Sequence, residues 1–284
     1  MVKKFHAFII LIAFSLAVPA QSSSDLKFIN YLIDKGEFED AIHVCNQCIS
    51  DTNMMTRDSL FFLKGWSFYS IKALDSASLF LGGVSGSSKL FPKASFFSAY
   101  CNTFQGRYAT AKQILSEFSA DDSLFYGLKN FEMAGISLLE RDLKSFEIYS
   151  SGFSHNHFAY AGEEENFKKY FQNIQTHHYT SSAVAGMMSA FLPGLGKIYA
   201  GRTAQGVSSM FVTLTMGAMA TENIIKSGWK SPQSILFSGL FTMFYIGNIY
   251  GSVFAVKYVN NLYDQTINGH LLLDLHLPLR NFFR

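Results

Sequence analysis

The sequence predicts an all-α protein in three parts: a signal peptide, an array of helical hairpins, and a C-terminal transmembrane helical hairpin. Three observations predict it. The N-terminus combines a charged start, an apolar run and a small-residue cleavage pattern. Small residues recur at a repeat-like spacing through the first half, and two long uncharged runs lie in the last third. The domains so defined are the signal peptide over 1–20, the repeat array over 21–150, a helical linker over 151–181, a membrane domain over 182–262 and a C-terminal tail over 263–284. Composition agrees: of 284 residues, 49% are hydrophobic and 15% charged, with mean hydropathy +0.14. So few charges make neither a solvated coil nor a phosphate-neutralising face, and no nucleic acid is expected as partner.

Lys3 and Lys4 form the charged start, Ala7 to Leu16 the apolar run, and Val18-Pro19-Ala20 the pattern a signal peptidase reads. Cleavage is expected after Ala20. The run is shorter than the ~20 residues of a membrane span, which disfavours the alternative of an uncleaved anchor. No Cys follows, so no lipoprotein anchor is expected. Cleavage removes two Lys and no acid, leaving 21 basic against 21 acidic residues.

In residues 25–150, Gly36-Glu-Phe38-Glu-Asp-Ala41 returns as Gly106-Arg-Tyr108-Ala-Thr-Ala111. It returns in degraded form as Lys72-Ala-Leu74-Asp-Ser-Ala77 and Arg141-Asp-Leu143-Lys-Ser-Phe146. The anchors Ala41, Ala77, Ala111 and Phe146 stand 36, 34 and 35 residues apart. Twelve residues before each lies Ile29, Gly65, Ala99 or Ala134, mostly small, as two closely crossing helices require. This pattern resembles the tetratricopeptide repeat over a little under half the chain. The resemblance implies a concave groove that takes a peptide or helix of another protein. Tyr31, Trp66, Tyr69, Phe97 and Tyr100, on the first helices of the hairpins, are the candidate partner-binding residues, with core packing as the competing role.

Glu163-Glu164-Glu165 followed by Lys168-Lys169 reads as the solvated face of a further helix, acids at its positive end. Beyond it, Thr203 to Thr221 gives 19 uncharged residues and Ser231 to Val256 gives 26. At 1.5 Å per residue these make helices of about 28 and 39 Å, against a hydrocarbon core near 30 Å. Within the second, Gly247-Asn-Ile-Tyr-Gly251 is a G-x-x-x-G pair expected to pack against another helix, with Asn248 placed to hydrogen-bond across that contact. The same helices offer a surface for a second copy of the chain.

Ahead of these runs stands Leu192-Pro193-Gly194-Leu195-Gly196-Lys197-Ile198-Tyr199-Ala200-Gly201-Arg202. Pro193 cannot continue a helix ladder and the glycines permit tight turns, so an apolar helix from about Ser182 is expected to break here and a short one to follow. Lys197, Tyr199 and Arg202 suit the headgroup layer. Residues 182–262 resemble a bacterial membrane family, common in Bacteroidota, in which L-P-G-x-G-Q-x-Y-x-G precedes hydrophobic segments, often behind a signal peptide and helical repeats. Lys197 replaces the Gln of that pattern. The resemblance implies an integral membrane protein without a defined reaction.

A cleaved signal places the repeats outside the cytoplasm, in the periplasm of an inner-membrane protein. Crossings at 206–221 and 235–256 then put Lys226 and Lys230 inside, as the positive-inside rule asks. A third crossing at 182–200 is the alternative. Residues 259–284 alternate apolar and polar groups and are left as an extended surface segment or a peripheral strand.

No catalytic constellation is recognisable. Cys45-Asn-Gln-Cys48 falls inside a second repeat helix rather than at a helix start, which argues for a structural pair, reduced or bridged, over a redox site. Cys101 reads as core. His155, His157, His177 and His178 lack metal-ligand spacing, so neither metal nor cofactor is expected. The expected role is a membrane-anchored scaffold that binds a protein partner and the bilayer, not an enzyme. A small transporter or channel component regulated by the repeats is the alternative.

Overall fold

The computed structural model describes residues 18–48, 54–118, 123–154 and 157–283. Among the described residues there are thirteen α-helices and no strand. The signal peptide expected over 1–20 lies outside them except for its last three residues. The chain divides into two compact units, one running to Gln172 and resuming from Leu271, the other Asn173–His270.

The first unit contains α1 (Val18–Lys35), α2 (Phe38–Cys48), α3 (Met54–Ser70), α4 (Leu74–Gly82), α5 (Phe91–Phe104), α6 (Tyr108–Ser116), α7 (Ser123–Leu139), α8 (Leu143–Ser150) and most of α9 (Ala161–Thr176). The first eight form four hairpins joined by the same turn. Gly36, Lys72, Gly106 and Arg141, all left-handed with φ between 62° and 81°, close the first helix of each. The next N–H then reaches back five residues: Glu37 to Leu32 O, Ala73 to Phe68 O, Arg107 to Asn102 O and Asp142 to Ser137 O, at 2.8–2.9 Å. This is the Schellman closure, which satisfies a carbonyl left open at the helix end. Glycine adopts it without cost, and Lys72 and Arg141 adopt it against their Cβ. The 34–36-residue recurrence is therefore present in the backbone as well as the letters.

Packing follows the same register. Ala41, Ala77, Ala111 and Phe146 are buried, as are Ile29, Gly65, Ala99 and Ala134. A Cβ on Gly65 would lie 2.9 Å from Leu81 N, so the second hairpin crosses backbone to side chain with no space for a larger residue. The acidic run opening α9 is less solvated than expected. Glu164 is buried and its Oε1 accepts from Ser154 N at 3.2 Å, while Glu165 remains exposed and pairs with Lys169 at 2.9 Å.

The last helix, α13 (Pro232–Phe282), contributes to both units. The expectation of an extended segment or strand over 259–284 is corrected here: residues 259–282 are helix. Leu271, Leu275 and Leu279 lie four apart and are fully buried, a helical stripe rather than a two-residue alternation. Of the tail expected over 263–284, the part up to His270 belongs to the other unit and the part from Leu271 onward to the array unit. Likewise α9, assigned to a linker, packs into that unit through Phe167 on Phe131, ring centroids 4.6 Å apart.

The second unit holds α10 (Ser182–Phe191), α11 (Leu195–Tyr199), α12 (Thr203–Ser227) and the first part of α13. Ser181 Oγ caps α10 by accepting from Val184 N at 3.4 Å. The helix stops at Leu192 before buried Pro193, and left-handed Gly194 starts the short α11. Among the described helices, α13 is the one long and apolar enough to cross a bilayer. The 25-residue α12 is long enough by rise alone.

Candidate functional site

Four of the five aromatics proposed from sequence come together on α3 and α5, and the tail of α13 covers them. Trp66 meets Tyr69 at 5.4 Å and Phe97 edge-on at 5.1 Å, and Tyr69 meets Phe97 at 5.2 Å. His276 hydrogen-bonds Tyr69 OH and stacks on Tyr100 with centroids 5.0 Å apart. Phe283 packs against Phe96 and Phe97, and Lys93 Nζ donates to the Phe283 carbonyl at 3.0 Å. Lys93 lies over Trp66 at 4.7 Å as well, so it bridges the cluster and the helix end. Tyr31 stands apart, 55% exposed, with Lys35 over its ring.

The opposite flank of the tail is held by α7 and α9. Leu275 sits over Gly135, where an added Cβ would fall 2.4 Å from Leu275 Cδ2 and 2.9 Å from Phe167 Cε2. Gly135 is therefore a seat for a leucine. Asp274, almost fully buried, accepts from Asn166 Nδ2 at 3.1 Å and Tyr170 OH at 3.0 Å. Burial first, and donation into the Asp274 carboxylate second, push the Tyr170 hydroxyl up to about 12. Pro278 sits inside the helix and gives up one ladder bond, and the packed leucines on either side keep the helix continuous.

The contact between the tail and the hairpins contains titratable groups. Burial first, and Arg280 second, hold the His276 imidazole below its ordinary pKa. Glu132 of α7 is buried with no partner for Oε1, and desolvation raises its carboxyl well above the carboxylate range. Burial likewise pushes the Cys45 and Cys101 thiols up to about 12, away from the thiolate form. Cys45, Cys48 and Cys101 are all free.

In the second unit the glycines of the motif are close-approach positions. A Cβ would fall 2.2 Å from Gly206 O at Gly194 and 2.0 Å from Ala185 O at Gly196. Ser189 Oγ accepts from Gly196 N at 3.0 Å and contacts Ser252 Oγ at 2.6 Å, tying α10, α11 and α13 together. Tyr199 OH accepts from Ser181 N at 3.2 Å, Arg202 lies over the Tyr258 ring at 5.0 Å, and Gly201 makes the turn into α12. Asn248 Nδ2 donates to Thr213 Oγ1 at 3.4 Å across α12 and α13. The G-x-x-x-G pair is corrected as a helix contact within the chain. Nothing lies within 4 Å of a Cβ at Gly247, and Gly251 meets the side chain of Lys197 instead, while the neighbouring helices are met by Asn248, which reaches Thr213 of α12, and Ser252, which reaches Ser189 of α10.

The histidine readings separate. His177 stacks on Tyr263 at 3.5 Å, His157 stacks on Tyr160 at 4.3 Å, and His155 lies outside the described residues. No group of three His, Cys, Asp or Glu is placed to hold a metal among the described residues. Sequence reasoning missed Lys93, Asn166, Asp274, His276 and Phe283, and the four-residue leucine spacing was the available signal. Comparison with family models, with curated proteins and with solved structures finds no match.

Proposed function

We propose that the protein is a membrane-anchored, extracytoplasmic scaffold that binds a helix of another protein in the groove its own tail fills. In this reading the hairpins are a tetratricopeptide-like array behind a cleaved signal peptide. The second unit anchors it in a bacterial inner membrane, and no reaction is catalysed. The observation that carries the reading is the occupied groove. Trp66, Tyr69, Phe97 and Tyr100, with Gly135 opposite, receive an amphipathic helix with leucines four apart. A groove built to take such a helix in cis is chemically suited to one supplied in trans. The tail then acts as a competitor whose release exposes the site.

The anchor is supported by side chains that water would not favour. Val207, Phe211 and Leu214 on α12, and Ile235, Leu236, Met243, Ile246 and Phe254 on α13, are exposed together on one compact unit. The resemblance of residues 192–202 to the L-P-G-x-G membrane motif points the same way. A cationic side chain facing a cavity of that unit, Lys197, favours the second reading, a small transporter or channel component with the array as its regulatory part.

The test is recovery of partners from solubilised membranes by the full chain and by a Leu271→Asp/Leu275→Asp variant, followed by elution with a peptide of residues 268–284. The proposal expects the variant to recover more of a defined partner and the peptide to release it. Partners recovered equally by both and untouched by the peptide would place binding elsewhere.

A further inference from the structure

Lys197 projects from the short α11 toward α12 and α13. Its aliphatic chain lies across α13, with Cε 3.3 Å and Nζ 3.5 Å from the position a Cβ would take at Gly251. A larger residue at 251 would displace it. Its ammonium donates to Ser209 Oγ at 2.6 Å, and among the described residues that is its sole hydrogen bond, with no carboxylate in ion-pair range. An ammonium has three donors, so two remain unfilled. The Ser209 hydroxyl proton has no acceptor among the described residues either.

These donors face a cavity of about 360 Å³ between α12 and α13. Asn248 lines the same cavity, 4% exposed; it donates to Thr213, and its carboxamide oxygen has no partner. Thr213 already spends its own proton on Ser209 O at 2.8 Å, so it cannot satisfy that oxygen. Val212, Met243 and Phe244 add an apolar part to the lining. A cavity with surplus cationic and hydroxyl donors, one buried unpartnered acceptor and an apolar part to its lining is incomplete without a ligand that has the reverse pattern.

We propose that the Lys197 cavity binds the phosphate group of an anionic amphiphile: its phosphate oxygens accept from the Lys197 ammonium and Ser209 hydroxyl, a hydroxyl beside the phosphate donates to Asn248 Oδ1, and its apolar part lies along Val212, Met243 and Phe244. An unpaired lysine at a bilayer-facing site is costly, and an anionic headgroup offsets that cost. Phosphate is the shared chemistry of two sources, a phosphodiester lipid headgroup and a free phosphate. The apolar part of the lining commits the site to the lipid. The proposal rests on the second unit being a membrane unit.

The experiment is native mass spectrometry of the full chain in detergent, titrated with phosphatidylglycerol, with phosphatidylcholine, and with inorganic phosphate as competitor. The wild type is expected to retain one phosphatidylglycerol, Lys197→Gln to bind it about tenfold more weakly, and Lys197→Arg to restore it, each variant keeping the wild-type helical spectrum. Asn248→Ala is expected to reduce the preference for phosphatidylglycerol over a phosphatidic acid lacking the glycerol hydroxyls. Displacement by inorganic phosphate would keep the cavity and reassign the source to free phosphate. Equal retention by wild type and Lys197→Gln, or by the two lipid classes, overturns the proposal. A chain that stays soluble without detergent overturns the membrane reading instead, and phosphate binding in plain buffer, lost in Lys197→Gln or not, then decides the cavity by itself.

Discussion

Truncating Leu275 to alanine is expected to free the tail while leaving the array folded. Leu275 is fully buried and fills the space over Gly135, which has no side chain to move into a vacancy. Phe167, the other neighbour, is stacked nearly parallel on Phe131 at 4.6 Å and cannot swing across without breaking that stack. The site therefore collapses poorly, and the cost belongs within the usual 2–5 kcal/mol for a buried leucine, at about 3 kcal/mol. The assay is hydrogen exchange of the tail amides, residues 272–283, in the full chain in detergent. If the tail opens as a unit, 3 kcal/mol corresponds to exchange roughly 150-fold faster at those amides. The amides of α5 and α6 should change little. Tail exchange within about threefold of wild type would refute the packing argument, because a leucine contributing so little cannot be closing that groove.

Lowering the pH is expected to loosen the same contact. His276 titrates below its ordinary value when docked, so the released tail binds the additional proton. Docking stability is full above about pH 6.5 and falls as the pH drops through that value, visible as a smaller protection of the tail amides relative to their intrinsic exchange rate at pH 5 than at pH 7; His276→Phe should flatten the profile. Lys72→Gly should stabilise the array by about 0.5–1 kcal/mol, read as a raised unfolding midpoint, because glycine relieves the left-handed strain at a position whose side chain makes no described hydrogen bond or ion pair. Gly196→Ala should cost about 3 kcal/mol or more, because its Cβ would fall 2.0 Å from Ala185 O. The measurement is the yield of monodisperse protein from membranes, with Gly239→Ala, whose Cβ meets nothing within 4 Å, as the unaffected control.

The array was legible because its signals are local. A left-handed turn and a small crossing residue each leave a mark at fixed spacing, and even Lys72 and Arg141, which lack the turn glycine, keep the register. The break at Pro193-Gly194 was legible for the same reason, since proline and glycine restrict backbone wherever they occur. The packing of the tail on α3, α5 and α7 was not. Its contacts join positions such as Tyr69 and His276 across 207 residues, and no spacing rule links them. The aromatic positions could be named from their place on the first helices, but their covering could not, because buried aromatics look alike whether a partner or the chain itself supplies the lid. The tail was misread for a further reason: His270 to Leu279 satisfies a two-residue alternation on paper, and only burial of Leu271, Leu275 and Leu279 together distinguishes the helical stripe. Gly247 and Gly251 show the converse, a motif whose letters suit a helix contact but whose face in this chain is turned to Lys197 and open space.

The most direct measurement replaces Tyr69 with benzoylphenylalanine in the full chain, irradiates intact membranes and identifies the crosslinked peptides. An occupied groove predicts attachment within the same chain, to the segment 271–283 around His276, and loss of that product in the Leu271→Asp/Leu275→Asp variant. Attachment to no part of that segment, or a within-chain product unchanged in that variant, would contradict it.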